Sequence, residues 1–168
     1  AARPEQDRVA FRVIVVARDR QRGVELVDDL QAAGFEARGP VSKDDVRGLL
    51  DGYSARAIAV CALVSDNDHS FTIDVVDLLR GVAGVSVLAV GRFDRAEDLA
   101  AVLDAGAGDA AREPLASVEL AARVRRCLTQ AGATAGACID LGHIRIDIGA
   151  RVVHRSGNPV ALTRTEFD

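Results

Sequence analysis

Within the stretch Ser65-Asp66-Asn67-Asp68-His69, carboxylate and amide oxygens and an imidazole crowd into one turn, a donor set that could grip a divalent cation. Neither the glycine nor the closing glutamate of a calcium loop follows at the required spacing, so the stretch reads as a solvated turn. Three cysteines, Cys61, Cys127 and Cys138, stand far apart in sequence, with no CxxC and no Cys/His cluster of zinc spacing. Cys61 has no histidine near it in sequence to act as a base, and it reads as a buried structural thiol. The glycines form neither GxGxxG nor a phosphate-binding loop; Gly81 to Gly84 and Gly106 to Gly108 read as helix ends. His143 and His154 are explained as polar strand positions. With no cofactor loop and no convergent acid/base pair, neither an enzyme nor a cofactor is expected.

These residues have to be positioned by a chain of 168 residues that is 49% hydrophobic and 27% charged with a net charge of −4, the composition of a globular protein. No apolar run reaches the ~18 residues of a membrane span, and Ala1 to Arg8 lack the apolar core of a secretory signal; with the odd number of cysteines this predicts a cytoplasmic protein with no membrane partner. Short β-branched runs at Arg12 to Val16, Phe35 to Arg38, Ala57 to Leu63, Val85 to Val90 and Asp109 to Arg112 read as strands. Helical periodicity fills the gaps at Gln21 to Ala33, Lys43 to Leu50, Ile73 to Val82, Ala96 to Ala105 and Ser117 to Leu128. In the first of these helices Val24, Val27, Leu30 and Ala33 recur at spacing three and form the expected dry face. Alternation of strand and helix implies a doubly wound five-stranded parallel sheet. Gly34 stands where a helix end wants positive φ, and Ser42 and Ser117 are candidate N-caps.

Past Leu128 the small and polar run Thr129 to Gly136 reads as a linker. Then the period changes to two: Ile139, Leu141, Ile144, Ile146 and Ile148 alternate with polar residues, and Val152-Val153 leads through a turn to Val160 and Leu162, the pattern of antiparallel hairpins. Thr163-Arg164-Thr165-Glu166 is a capping box that opens a helix, and because an isolated helix needs about 12 residues, a chain ending two residues later reads as one cut from a longer parent. The expected organisation is a first domain over 9–129, a linker over 130–137 and an antiparallel sheet over 138–168.

Two segments resemble a known family. Ala105-Gly106-Ala107-Gly108-Asp109 followed by Arg112-Glu113-Pro114-Leu115 is similar to the AGADDY..KPF segment of receiver domains, and Gly157-Asn158-Pro159-Val160 with Leu162-Thr163-Arg164-Thr165-Glu166-Phe167 is similar to the GxPVxLTxxEF opening of a winged helix. The chain thus resembles the OmpR/PhoB-type bacterial response regulators, in which a CheY-like receiver precedes a winged-helix DNA-binding domain. The resemblance implies a CheY-like (flavodoxin-like) sheet and then the β-sheet that opens a truncated winged-helix domain.

In that family an aspartate at the end of the third strand accepts a phosphoryl group, two acids after the first strand hold Mg²⁺, and a hydroxyl and a lysine after the fourth and fifth strands contact the phosphoryl. Laid on this pattern, Ala17 and Arg18 stand at the metal ligands, Cys61 at the acceptor, Gly91 at the hydroxyl and Glu113 at the lysine. The expectation is a degenerate pocket that binds no metal and works without phosphorylation; a shifted first strand would bring in Asp19 instead, and a late-ending third strand Asp66 or Asp68. Glu113 either pairs with Arg18 or faces solvent. The resemblance further implies a homodimer through the fourth helix, fifth strand and fifth helix, with Asp109 and Arg123 matching an ion pair between chains. Glu119 matches the acidic half of a second pair, whose basic half falls on Leu99. It makes the complete parent a regulator of transcription on promoter DNA, although from Cys138 onward four acids balance four arginines and leave no basic stripe. A pseudo-receiver that binds an unidentified small molecule or protein is the alternative.

Overall fold

A computed structural model describes residues 12–54 and 58–134, with the shorter segments 138–140, 143–147, 152–156 and 158–160. Five strands, β1 (Arg12–Ala17), β2 (Glu36–Val41), β3 (Val60–Ser65), β4 (Val85–Gly91) and β5 (Asp109–Arg112), alternate with helices α1 (Arg20–Ala32), α2 (Lys43–Ser54), α3 (His69–Leu79), α4 (Ala96–Asp104) and α5 (Ser117–Thr134). All strands pair in parallel, in the order β2-β1-β3-β4-β5. This is the expected doubly wound sheet.

Side-chain alternation explains why both faces are covered. Val13 and Val15 of β1 and Cys61 and Leu63 of β3 join α1 and α5 in one core, while Ile14, Val16, Val60, Ala62 and Val64 face α2 and α3 in the other. Every residue of β3 is buried. Burial of each such side chain is worth roughly 1.5–3 kcal/mol, so the sheet centre dominates stability. Gly34 takes the expected positive φ of 92°, and Ser42 Oγ accepts from the Asp45 amide at 3.2 Å as a cap for α2.

Several boundaries and one face differ from expectation; β2 runs on to Val41 and α2 to Ser54, β3 starts at Val60, and α3 ends at Leu79. β3 ends at Ser65 rather than Leu63, because the apolar run continues through Val64, and α3 starts at His69 rather than Ile73 because Asp68 caps it, accepting from the Ser70 amide at 2.9 Å. α5 continues to Thr134, into the expected linker: Ala131 is buried, and Ser86 Oγ donates to Gln130 Oε1 at 3.1 Å, so this small-residue run has tertiary partners. The dry face of α1 is Gly23, Leu26, Val27 and Leu30, with Val24 turned out, since the true helical period is 3.6 rather than three.

The remaining strands β6 (Cys138–Asp140), β7 (Ile144–Asp147), β8 (Val152–Arg155) and β9 (Asn158–Val160) form an antiparallel sheet in sequential order, as the period of two predicts. Ile146 lies opposite Val153, which lies opposite Val160. The capping box Thr163 to Glu166 lies outside the described residues. Among the described residues no helix is long and apolar enough to cross a membrane.

Candidate functional site

Register fixes which residues meet at the carboxyl edge of the parallel sheet. Ala17 pairs with Ser65, Ser65 with Val90, and Gly91 with Arg112, so Ala17, Arg18, Asp66, Gly91 and Glu113 converge there. Cys61 does not. It lies opposite Val13 and Ser86, deep in the first core with Cys127, both thiols free. A hydrogen bond with Cys127, together with burial, holds the Cys61 thiol well above its ordinary range. The expectation that Cys61 occupies the acceptor position is therefore wrong: the late end of β3 brings Asp66 to the edge instead.

Asp66 is gripped by Arg18. The guanidinium donates from Nε to Oδ2 at 2.7 Å and from Nη2 to Oδ1 at 2.8 Å, a two-pronged match of planar groups. Nη2 also reaches Asp68 Oδ2 at 3.4 Å, and the guanidinium lies over the Phe71 ring, 4.6 Å from its centroid. The Asp66 side chain is 10% exposed against 54% for Arg18, so the carboxylate is enclosed while the cation stays wet. Burial alone would raise the Asp66 pKa, but the hydrogen bonds from Arg18 and the Asp68 amide, with the Arg18 charge, outweigh it and hold the carboxyl below the usual range. The same contacts raise the Arg18 pKa. The 65–69 turn is ordered by its own side chains: Asp66 Oδ1 accepts from the Asp68 amide at 2.8 Å, and Asn67 Oδ1 from the Arg92 amide at 3.2 Å.

Glu113 neither pairs with Arg18 nor faces solvent. It accepts from Arg22 Nε at 3.0 Å and from Arg22 Nη2, bridging the end of β5 to the first turn of α1. Asp19 caps α1, its Oδ1 accepting from the Arg22 amide at 3.2 Å. Gly91 is buried, and a Cβ built on it would collide with the Asp66 carbonyl oxygen and stand 3.2 Å from the carbonyl carbon. On the far side of the sheet Arg123 Nη1 donates to Asp109 Oδ2 at 2.8 Å and Nη2 to Glu119 Oε1 at 2.9 Å, both within one chain. In the single chain these two residues already meet each other, because α5 places Arg123 over the start of β5. Leu99 of α4 packs half-buried against the Ala89, Phe93 and Val102 cluster.

Comparison with known proteins places this geometry. No family model matches the chain. The chain is 33% identical over 96 residues to the DNA-binding response regulator MtrA of Mycolicibacterium smegmatis, covering 57% of this chain and 42% of that one. It is 32% identical over 161 residues to the transcriptional regulatory protein PrrA of Mycobacterium leprae, covering 94% of this chain and 68% of that one. The solved structure of DrrB, an OmpR/PhoB homologue from Thermotoga maritima, superposes with a TM-score of 0.50 at 19% identity, over 93% of this chain and 68% of that one. The chain belongs to the OmpR/PhoB-type response regulators. Its parallel sheet is the receiver fold, and the match spans less than half the length of MtrA.

Receivers of this family hold Mg²⁺ on clustered carboxylates, a group this edge does not fit. Both Asp66 oxygens are occupied by Arg18, the Oδ1 atoms of Asp19 and Asp68 are spent on helix capping, and Ala17 offers no oxygen ligand from its side chain. Among the described residues no group of three metal-ligating side chains converges. A guanidinium therefore stands against the Asp66 carboxylate, supplied from the chain itself.

Proposed function

We propose that this chain is the regulatory portion of a transcriptional regulator whose receiver works without aspartyl phosphorylation and serves as a constitutive dimerisation module. The single observation behind this reading is the Arg18–Asp66 pair. A nucleophilic carboxylate must present a free oxygen to the phosphorus, and the charge on the transferring group must be neutralised by a metal and a lysine. Here both oxygens are donated to, the metal's side of the cleft is cationic, Glu113 replaces the lysine and is bound to Arg22, and Gly91 leaves no hydroxyl. A second anion entering between Asp66 and Glu113 meets like charge.

The face built from α4, β5 and α5 supports homodimerisation: Leu103 of α4 is 41% exposed, one helical turn from the half-buried Leu99. We assign residues 9–129, now with α5 extended to Thr134, to the receiver-like domain and 138–168 to the opening sheet of the DNA-binding domain. Promoter DNA is the partner of the complete parent protein, since PrrA and MtrA are described as regulators of transcription and binders of DNA. The decisive experiment incubates the chain with acetyl phosphate or beryllofluoride and Mg²⁺, reading intact mass and sedimentation velocity. Neither mass nor oligomeric state should change. A phosphoryl adduct mapped to Asp66, or a dimer that forms only with beryllofluoride, refutes the proposal.

A further inference from the structure

Between the carboxyl ends of β1 and β2 opens a cavity of about 540 Å³, on the other side of Arg18 from Asp66. Its walls are built by an irregularity in β2. Ile14 pairs with Arg38 but Val16 with Val41, so β2 fits one extra residue into the same length, and Gly39 at φ 125° lets its backbone press on the Val15 carbonyl. Pro40 is thereby thrown against α1, where a Cβ on Gly23 would lie 2.5 Å from the Pro40 Cβ; only glycine permits that approach.

The lining divides by chemistry. Ala17, Pro40, Val41 and Phe71 offer an apolar surface, and Arg18, Arg20 and Lys43 stand around it, with Asp44 the one carboxylate among the lining residues. These cations have unused donors. Among the described residues Arg20 makes no side-chain hydrogen bond or ion pair, Lys43 makes one exposed pair with Asp74 at 3.3 Å, and Arg18 uses Nε and Nη2 on Asp66 and Asp68 while its Nη1 meets no acceptor. A space within the 300–1,000 Å³ of ordinary small-molecule sites, apolar with a few convergent donors, sits where open α/β sheets bind ligands, beyond the carboxyl ends of the strands. Inorganic ions would leave the apolar wall uncovered, and neutral apolar molecules would leave the donors unsatisfied.

We propose that this cavity binds a small aromatic carboxylate, its ring against Pro40, Val41 and Phe71 and its carboxylate on Arg20, Lys43 and the free Nη1 of Arg18. The site does not depend on Asp66 being silent towards phosphorylation. Its consequence does touch that pair, because Arg18 lines the cavity and holds Asp66 at once, so occupancy reports directly to the receiver's edge.

Salicylate is a suitable probe and benzyl alcohol its neutral counterpart, each titrated to millimolar concentration into ¹⁵N-labelled protein. Salicylate should produce saturable amide shifts confined to Ala17–Arg20, Val41–Asp44 and the surroundings of Phe71, and benzyl alcohol should shift them far less. Arg20→Ala and Lys43→Ala change exposed ends of side chains, and each should weaken salicylate about five- to tenfold through the loss of one charge-assisted contact; unchanged shifts elsewhere in the spectrum certify the fold. The proposal is overturned if salicylate gives no saturable shift, if benzyl alcohol matches it, or if the double variant binds as well as the parent chain. An acetyl-phosphate adduct on Asp66 would refute the earlier reading and leave this one standing.

Discussion

Substituting Gly91 tests whether the receiver's edge is as tightly closed as its geometry states. A Cβ at this position collides with the Asp66 carbonyl oxygen, with Phe93 Cζ a further 3.5 Å neighbour. To reach an ordinary C···O separation of about 3.3 Å, the ends of β3 and β4 must part by roughly 1 Å. Asp66 N donates to the Val90 carbonyl at 3.2 Å and Glu113 N to the Gly91 carbonyl at 2.9 Å, so the movement strains bonds on both sides. Overpacking of this kind costs about 1–3 kcal/mol, which for a domain of this size lowers Tm by roughly 3–12 °C. Gly91→Ala should therefore melt lower by circular dichroism, and Gly91→Thr, which supplies the hydroxyl the family uses, lower still. Gly48→Ala is the control. It lies mid-helix in α2 with nothing within 4 Å of its would-be Cβ, so it should stabilise by about 0.5–1 kcal/mol. If Gly91→Ala melts at or above the parent chain while Gly48→Ala rises, the close approach of β3 and β4 is refuted. If Gly91→Thr also became responsive to acetyl phosphate, the proposal that the Arg18–Asp66 pair and Glu113 close this edge to phosphorylation would fall with it.

The Asp66 carboxyl is held below its ordinary pKa in the folded chain, so its stabilising contribution is complete above the unfolded value of about 3.9 and is lost as pH falls through the folded value. Asp66→Asn should accordingly be less stable than the parent in urea at pH 7, with the gap closing in acid; a gap independent of pH would contradict the Arg18 pairing. On the opposite side of the sheet, Asp109→Ala breaks a partly exposed bridge to Arg123 and should cost no more than about 1 kcal/mol in folding, while lowering the dimer fraction in sedimentation velocity. An unchanged sedimentation profile removes this face as the dimer contact.

How far the sequence could be read depended on whether a residue's role was local. The alternation of β-branched and helical segments is a local signal, and it delivered all five strands and five helices of the parallel sheet. Within β3 it could not deliver the ends, because a strand buried on both faces has no polar alternation to mark its register. Laying the family's pattern on Arg56 to Cys61 placed Cys61 at the edge; the late stop at Ser65, followed by an aspartate that orders the turn and another that caps α3, is the alternative register that the apolar run alone could not select. The helix through Thr134 was missed for a related reason, since Thr129 to Thr134 looks featureless until Ser86 and the first core are brought alongside it. The Arg22–Glu113 bridge joins residues far apart in sequence, and nothing in either neighbourhood announces it. The Asp109–Arg123 match was visible in the pattern, but whether it closes within a chain or between chains is a matter of three-dimensional reach.

The uniform interior character of β3 has a consequence for how the chain is made. Val60 to Val64 is a run of five uncharged apolar residues that shields itself only when β1 and β4 lie on either side. As the chain is synthesised β1 is already available, but β4 emerges only after α3 has passed. During that interval one long side of the run is an open template for another chain, and segments of this kind seed intermolecular cross-β pairing. Slowing the arrival of β4, or weakening its grip, would surface first as inclusion bodies during expression rather than as a lower melting point of the soluble fraction.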